Sequence, residues 1–221
     1  MPHRHLKDPL YAQFARIGRA VSSPVRIELL DLLAQGEKTV EALAAQAAAT
    51  IKNTSAHLRV LRQARLVDTR RDGTYIYYRL ADPQVSRFVR DLERLGHQRL
   101  AEVEQVARQY LDGRDELEPV TLPELRTLVR DGGVSVIDVR PRDEYESGHI
   151  PGAISMPLTE LTHRVRELPK RRQIVAYCRG PYCVFALEAV TLLRHRGFKA
   201  RRSAEGWPAW RDAGLPVAAG A

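Results

Sequence analysis

Apolar positions in the first half of the chain recur at helical spacing and change to a strand-like pattern only once. Residues three or four positions apart are apolar over most of this half, which indicates amphipathic helices. The exception is a stretch rich in Arg and Tyr around Asp72 and Gly73, a residue pair that favours a hairpin turn. The predicted elements are helices over 9–20, 24–34, 40–47, Thr50 to about Gln63 and 83–111, with strands over 67–71 and 74–80 before the last helix.

In the second half, short apolar runs alternate with amphipathic segments, as is typical of an α/β domain. The runs Val134–Asp138 and 174–177 have the length and continuity of strands buried in a parallel sheet. Thr121 and Glu124 have the spacing of a capping box that begins a helix. Another helix is predicted over 184–196. Helices therefore flank a parallel sheet in this half.

The two patterns are separated by an acidic segment that contains Gly113 and Pro119 and has no periodicity. A chain of 221 residues is long enough for two domains of ordinary size. We therefore predict a mainly α winged helix-turn-helix domain over 1–112, a linker over 113–120 and an α/β domain over 121–221.

The composition of the chain indicates what class of partner it binds and in which compartment it works. Lys and Arg number 35 against 27 Asp and Glu, a net charge of +8 that favours a polyanionic partner where the charge is patterned. The beginning MPHRHLKD lacks the apolar core of a signal peptide, and no run has the length of a membrane helix. With two cysteines as well, we expect a cytoplasmic protein that needs no membrane, metal or cofactor.

The first half carries the arrangement of a winged helix-turn-helix, whose second short helix enters the major groove of DNA. Three segments, SSPVRIELLDLL, TVEALAAQAAATIKNTSAHLRVLRQARLV and RRDGTYIYYRL, resemble the ArsR family of transcriptional regulators over about residues 10–110. The resemblance implies a double-stranded DNA operator as partner and a homodimer formed through the first and last helices. For the apolar stripe after Pro83, an intramolecular packing face is the alternative to a dimer interface.

The residues that would meet DNA follow from which side chains must face the core. Leu58 and Leu61 have to point inward to hold the second helix on its domain, which leaves the other face for the groove. Contacts to phosphate position a protein without reading sequence, and the hairpin tip suits that role. The groove candidates are Lys52, Asn53, Ser55, Ala56, His57 and Arg59, and the phosphate candidates are Arg70, Arg71 and Thr74.

This half departs from the family where metal sensors carry their ligands. No cysteine precedes Cys178, so the thiolate site found near the first helix of the motif in some members is absent. His97 has no second histidine on the last helix, which favours an interface or surface role over a zinc ligand. Arg65 stands where the family usually has Gly, so we expect a non-glycine residue at positive φ.

Both cysteines of the chain lie in the segment IVAYCRGPYC, between a predicted strand and a predicted helix. Cys178 directly follows the strand, and the loop that it begins must curl so that backbone N–H groups and the helix N-terminus face inward. Such a cradle, to which Gly180 and Tyr182 belong, favours a thiolate or persulfide anion at Cys178. Arg179 is expected to add positive charge there.

The segments on either side of this loop resemble the rhodanese family of sulfurtransferases over about residues 118–218. They are VSVIDVRPRDEYESGHIPGAISMP and GWPAWRDAGLPV. The resemblance implies that Cys178 accepts sulfane sulfur from thiosulfate, a polysulfide or a persulfide, and passes it to a thiophilic acceptor. Asp138, Arg140 and His149 are interpreted as structural, with an anionic donor as the alternative partner of Arg140. Trp207 either borders the pocket or belongs to the core.

Two positions differ from the family pattern and bear on turnover. The six-residue family loop commonly ends in a donor-binding Arg, which is Cys183 here, and Glu205 replaces a usual Gly. Cys183 has two interpretations. In the first it attacks Cys178 or an outer sulfur and forms a disulfide or a sulfur-bridged pair; in the second it is a buried small apolar residue.

These patterns lead to one function hypothesis and two alternatives. The hypothesis is a repressor whose DNA binding changes when reactive sulfur modifies Cys178 and Cys183. The first alternative is a sulfurtransferase with an accessory DNA-binding domain, and the second is a thiol-based sensor of oxidants or arsenite.

Overall fold

A computed structural model describes residues 4–111 and 118–220, and the chain divides into two compact units. The units are Met1–Leu92 and Glu93–Ala221, and the division falls within one helix. Residues 113–117 of the predicted linker lie outside the described residues. Beyond them, Val120 already pairs with Ser203 as a parallel bridge.

The first unit is a winged helix-turn-helix, as predicted. Its strands form an antiparallel sheet of order β1-β3-β2. Thr39 and Thr50 cap α3 and α4, and each side chain accepts a hydrogen bond from the N–H group three residues onward. Apolar residues from α2, α3 and α4 form its core. The elements are α1 (Arg4–Val21), α2 (Pro24–Ala34), β1 (Lys38–Thr39), α3 (Val40–Gln46), α4 (Ile51–Gln63), β2 (Val67–Asp72), β3 (Tyr75–Leu80) and α5 (Pro83–Arg99).

Three local predictions have definite outcomes in this part of the chain. Arg65 has a φ of 59°, so the expected non-glycine residue at positive φ is confirmed. The hairpin turn lies one residue later than predicted, because Asp72 pairs with Tyr75 and leaves Gly73, with a φ of 57°, and Thr74 as the turn. The single helix predicted over 83–111 is wrong: α5 ends at Arg99, shortly after Gly96, a weak helix former.

The second unit contains a four-stranded parallel sheet of order β5-β4-β6-β7 with helices on both faces. Alternate residues of β6 enter two different apolar clusters: Ile174 and Ala176 pack on one face, and Val175 and Tyr177 on the other. Its elements are α6 (Ala101–Leu111), α7 (Leu122–Arg130), β4 (Val134–Asp138), α8 (Arg142–Ser147), β5 (Ile154–Ser155), α9 (Leu158–Arg164), β6 (Gln173–Tyr177), α10 (Val184–His195), β7 (Ala200–Arg202) and α11 (Trp207–Asp212).

The capping box predicted at the start of α7 is half formed. The Thr121 hydroxyl accepts a hydrogen bond from the Glu124 N–H, as expected. The Glu124 carboxylate instead accepts a hydrogen bond from Arg201, 2.7 Å away on β7. A long-range ion pair has thus replaced the local second bond. Within the described residues, no helix has the length and apolar character needed to cross a membrane.

Candidate functional site

The two cysteines meet at the carboxyl end of the sheet. Cys178 follows β6 directly and is 2% exposed, whereas Cys183 is the half-buried N-cap of α10. A disulfide joins them, with 6.3 Å between their Cα atoms, inside the range that such a bond needs. The Cys183 N–H donates to the Gly180 carbonyl across the turn. Of the two interpretations of Cys183, the structure has the paired one.

The beginning of the loop is held by the segment before α11. The Trp207 N–H donates to the Cys178 carbonyl at 3.0 Å. Gly206 passes so close that a Cβ there would lie 2.1 Å from the Arg179 carbonyl carbon and oxygen and 2.4 Å from the Gly180 nitrogen. Only glycine fits at that crossing. Trp207 is 3% exposed, so of its two interpretations the core role is the one observed.

Arg179 binds a buried carboxylate instead of standing open to an anion. Its Nε and Nη2 donate to the two Glu144 carboxylate oxygens at 3.0 and 2.6 Å, a bidentate pair. Glu144 lies on α8 and is fully buried. The positive charge expected at the loop is therefore compensated. Sequence reasoning missed Glu144, since a single acid on a short helix gives no signal of a partner 35 residues away.

Arg140 has the structural role, not the donor-binding alternative. Arg140 and Asp138 are both fully shielded from solvent, and their ion pair has a separation of 2.5 Å. Arg140 also donates to the Gly148 carbonyl. An anion from solvent cannot reach this guanidinium. His149 is structural as predicted, with Nδ1 2.9 Å from the Tyr145 carbonyl oxygen.

Tyr182 is the outward-facing residue of the loop. It is 43% exposed, and its hydroxyl lies 3.4 Å from Nδ1 of His97, which belongs to the same unit. Partial burial and the negative charge of Glu93 raise the pKa of the Tyr182 hydroxyl. Among the described residues, no three His, Cys, Asp or Glu side chains are grouped so that they could hold a metal ion.

The face of α4 that we predicted to read the DNA groove is mostly exposed in the first unit. Leu58 and Leu61 are fully buried, which fixes the opposite face of the helix toward solvent. The Arg71 Nε at the wing donates to the Gly73 carbonyl, and Thr74 is exposed. On α4, the exposed candidates are Lys52, Asn53, Ser55, Ala56 and Arg59, with His57 half-buried.

Arg70, which we predicted to contact phosphate, forms ion pairs within the first unit. It lies on β2, and its guanidinium is 2.6 Å from the Glu37 carboxylate, 3.0 Å from that of Asp72 and 4.6 Å from the Tyr77 ring centre. The hydrogen bond from Arg70 lowers the pKa of the Glu37 carboxyl. A phosphate would have to displace Glu37 to use this charge.

Comparisons with known proteins match the two parts of the chain to two different families. The profile of the bacterial regulatory protein arsR family matches residues 23–69, and that of the rhodanese-like domain matches residues 121–213. The HTH-type transcriptional regulator Rv0324 of Mycobacterium tuberculosis is 43% identical, over 97% of this chain and 94% of its own.

Two further relatives each match one part. Human thiosulfate:glutathione sulfurtransferase is 33% identical over 39% of this chain and 86% of its own. The solution structure of the homodimeric winged helix-turn-helix DNA-binding domain of Mb0332 from Mycobacterium bovis is 39% identical, with a TM-score of 0.41, covering 42% of this chain and 87% of that one. The two family profiles and the full-length relative show that the chain belongs to the ArsR family of bacterial transcriptional regulators and carries a rhodanese-like domain after its DNA-binding domain.

Proposed function

We propose that this protein is a homodimeric repressor whose rhodanese-like domain responds to reactive sulfur species through Cys178 and Cys183. The observation that carries the proposal is the disulfide between these two residues at the end of β6 and the start of α10. A regulator has to meet DNA, so we place it in the cytoplasm, where a disulfide in a mesophile is usually transient, in catalysis or redox sensing. Such reversibility is what a signal requires.

Formation of the disulfide from two thiols needs a two-electron oxidant, and a polysulfide is sufficient. The Cys178 thiolate attacks a sulfane sulfur of the polysulfide, an S–S bond breaks, and the shortened polysulfide leaves with the electron pair. The Cys183 thiolate then attacks Sγ of the Cys178 persulfide, and hydrosulfide leaves as the disulfide forms. The two thiols together lose two electrons, and one sulfane sulfur gains them and leaves as hydrosulfide.

The contacts around the loop indicate which part would move when the bond opens. The Cys178 carbonyl is bonded to Trp207, and Arg179 is fixed both by Gly206 behind its backbone and by Glu144 on its guanidinium. The end of the loop, by contrast, is exposed at Tyr182. We therefore expect reduction to release Cys183 and Tyr182 while Cys178 stays in place.

Tyr182 offers a route from the loop to the helices of the regulator. Its hydroxyl faces His97 near the end of α5, and α5 begins in the unit that contains α4. A change in the Tyr182 position would alter this contact. The proposal thus couples disulfide formation to α5 through a single side chain.

Exposed apolar side chains support the homodimer. Leu10, Tyr11 and Phe14 of α1 are 53–61% exposed, as are Leu95 of α5 and Val106 of α6. Large apolar side chains grouped on helices are usually covered by a partner. A second copy would cover the helices that the family resemblance assigns to the dimer.

DNA binding before and after sulfur treatment tests the proposal. The affinity of the full-length protein for the DNA upstream of its own gene is measured by fluorescence anisotropy at fixed salt. Polysulfide should weaken wild-type binding, a dithiol reductant should restore it, and Cys178→Ser should not respond. Cys183→Ser, which can form only the persulfide, separates sulfur addition from bridging. An unchanged wild-type affinity, or one that changes equally in Cys178→Ser, would contradict sensing at this site.

Intact-protein mass spectrometry reports the chemistry independently of DNA. Treated wild type should lose two hydrogens, and Cys183→Ser should gain the mass of one sulfur atom. Addition of sulfur to Cys178→Ser would place the reactive thiol elsewhere, because the chain has only two cysteines.

The similarity to human thiosulfate:glutathione sulfurtransferase favours catalysis as a second candidate function. A sulfurtransferase assay with thiosulfate or polysulfide and a thiol acceptor distinguishes the two. Slow turnover in wild type and faster turnover in Cys183→Ser are expected of the sensor, whereas sustained wild-type turnover supports the enzyme. Arsenite binding that both single variants lose, together with no effect of sulfane sulfur, would support the thiol-sensor alternative instead.

A further inference from the structure

Exposed cations are concentrated at the amino edge of the parallel sheet, where the strands begin. Lys170, Arg171 and Arg172 directly precede β6, and Arg196 and Lys199 precede β7. Since β6 and β7 are parallel and Ile174 is in register with Ala200, these two connections start their strands at the same edge. We call these five residues the amino-edge surface.

None of the five forms an ion pair with another residue of 4–111 or 118–220, and all are exposed. Two acids at the same edge are already paired. Glu167, before β6, is 2.9 Å from Arg164, and Asp131, in the connection before β4, is 2.8 Å from Arg130. Within residues 93–111 and 118–220 of the unit, the positive charge of the amino-edge surface is therefore not compensated by an ion pair. An external anion can meet it without breaking an internal pair.

Local structural needs explain only a part of this charge. Arg196 follows the last turn of α10, where a cation interacts favourably with the helix dipole. Lys170 lies 5.9 Å from the Phe198 ring centre, a weak contact for an exposed cation. Arg171, Arg172 and Lys199 are at no helix end. Within the part of the unit that the structure describes, no ion pair or helix end uses their charge.

The amino-edge surface is separate from the cysteine loop. Cys178 follows the carboxyl end of β6, and the five residues Gln173–Tyr177 of that strand lie between them. A strand of that length spans roughly 16 Å. The cations therefore cannot bind a sulfur donor that reacts at Cys178.

We propose that the amino-edge surface binds the phosphate backbone of DNA, so that the rhodanese-like domain adds contacts to those of the winged helix. Exposed Lys and Arg side chains spread over two connections suit a line of phosphates, which is recognised by charge alone. The DNA-binding domain of the same chain raises the local concentration of duplex DNA at this surface. DNA is thus favoured over other polyanions.

The salt dependence of DNA affinity tests this contact. Anisotropy titrations of the full-length protein with a long duplex of arbitrary sequence give the slope of log K against log salt. Each lost phosphate contact makes the slope about 0.9 less steep. Replacing Lys170, Arg171 and Arg172 together by Gln should reduce it by about 2 to 3, with affinity at least about tenfold weaker at low salt. Arg171→Gln alone should reduce it by about 0.9.

Two controls separate this contact from charge in general and from the winged helix. Arg126→Gln removes an exposed cation from α7 of the same unit and should leave the slope unchanged, and circular dichroism melting checks that each variant is folded. Lys52→Gln on α4 should lower the slope by its own contact. A wild-type slope in the triple variant, beside a lowered one in Lys52→Gln, would overturn the proposal and leave DNA binding by the winged helix intact.

An anionic membrane is the competing partner for such a surface. Sedimentation with phosphatidylglycerol vesicles measures it directly. Vesicle binding that the triple variant loses, with an unchanged salt slope on DNA, would assign the surface to lipid and also overturn the proposal. We expect the triple variant to have a lowered salt slope for DNA binding and the wild type to bind no vesicles.

Discussion

Replacing Gly206 by Ala tests the packing of the segment before α11 against the cysteine loop. The added Cβ would lie 2.1 Å from the carbonyl carbon and oxygen of Arg179, well inside van der Waals contact. Gly206 itself has a φ of −97°, which alanine adopts without strain. Any effect of the substitution is therefore steric, and it falls on the backbone of the loop.

The expected cost lies at the upper end of the range for overpacking. Extra methyl groups in packed sites typically cost about 1–3 kcal/mol, because side chains can turn away. Here the obstructing atoms belong to the main chain, which cannot rotate away as a side chain would, so we expect about 3 kcal/mol. That corresponds to a fall of roughly 10 °C in the melting temperature of a unit of this size.

Tryptophan fluorescence during thermal unfolding measures this effect in the right unit. The chain has two tryptophans, Trp207 and Trp210, and both are buried in the second unit. Gly133→Ala is the matched control, because a Cβ there meets only the Leu128 side chain at 4.0 Å. Equal melting temperatures for Gly206→Ala and Gly133→Ala would refute the close approach on which the anchored loop depends.

Three further substitutions test single contacts. Glu37→Gln removes one of the two carboxylates paired with Arg70, so its charge becomes more available to a phosphate and the salt slope of DNA binding should steepen by up to about 0.9; weaker binding would instead show that the pair stabilises the hairpin. Arg140→Leu leaves Asp138 buried without its cation and should cost about 3–5 kcal/mol in urea unfolding, and a loss below about 1 kcal/mol would contradict that role. Tyr182→Phe should still form the disulfide with polysulfide but lose less DNA affinity than wild type, whereas a wild-type response would exclude this route to α5.

Features set by local rules could be predicted from the sequence. The order of elements in both units followed from apolar spacing, whereas the positive φ of Arg65 followed from the family resemblance, because the family usually has Gly at that position. The two wrong predictions, of the hairpin turn and of one helix over 83–111, also have causes in a few neighbouring residues. A two-residue turn at Gly73 and Thr74 keeps Asp72 in the ladder, and a break near Gly96 divides a stripe that continues through both helices.

At the candidate site, only the two reactive cysteines and the local elements around them could be predicted from the sequence. The strand, loop and helix around Cys178 follow from the local pattern, and a six-residue loop can bring its first and last residues, Cys178 and Cys183, within reach of each other. The partners of the arginines did not follow, because Glu144 and Glu37 lie 35 and 33 residues from Arg179 and Arg70. Long-range ion pairs depend on tertiary placement that a single sequence does not encode in any local pattern.

The position of Cys183 decides between repeated sulfur transfer and a single chemical event. A sulfurtransferase needs its Cys178 persulfide to survive until an acceptor arrives from solution. A second thiol whose Cα atom is 6.3 Å away competes at an effective concentration that a dissolved thiol cannot match. Under the proposed function, the persulfide would be consumed internally, and the disulfide would stay closed until a cellular reductant supplies two electrons. In the family, this loop commonly ends in an Arg that binds the sulfur donor. With Cys183 in that place, the loop would instead react once with reactive sulfur and stay oxidised as a disulfide.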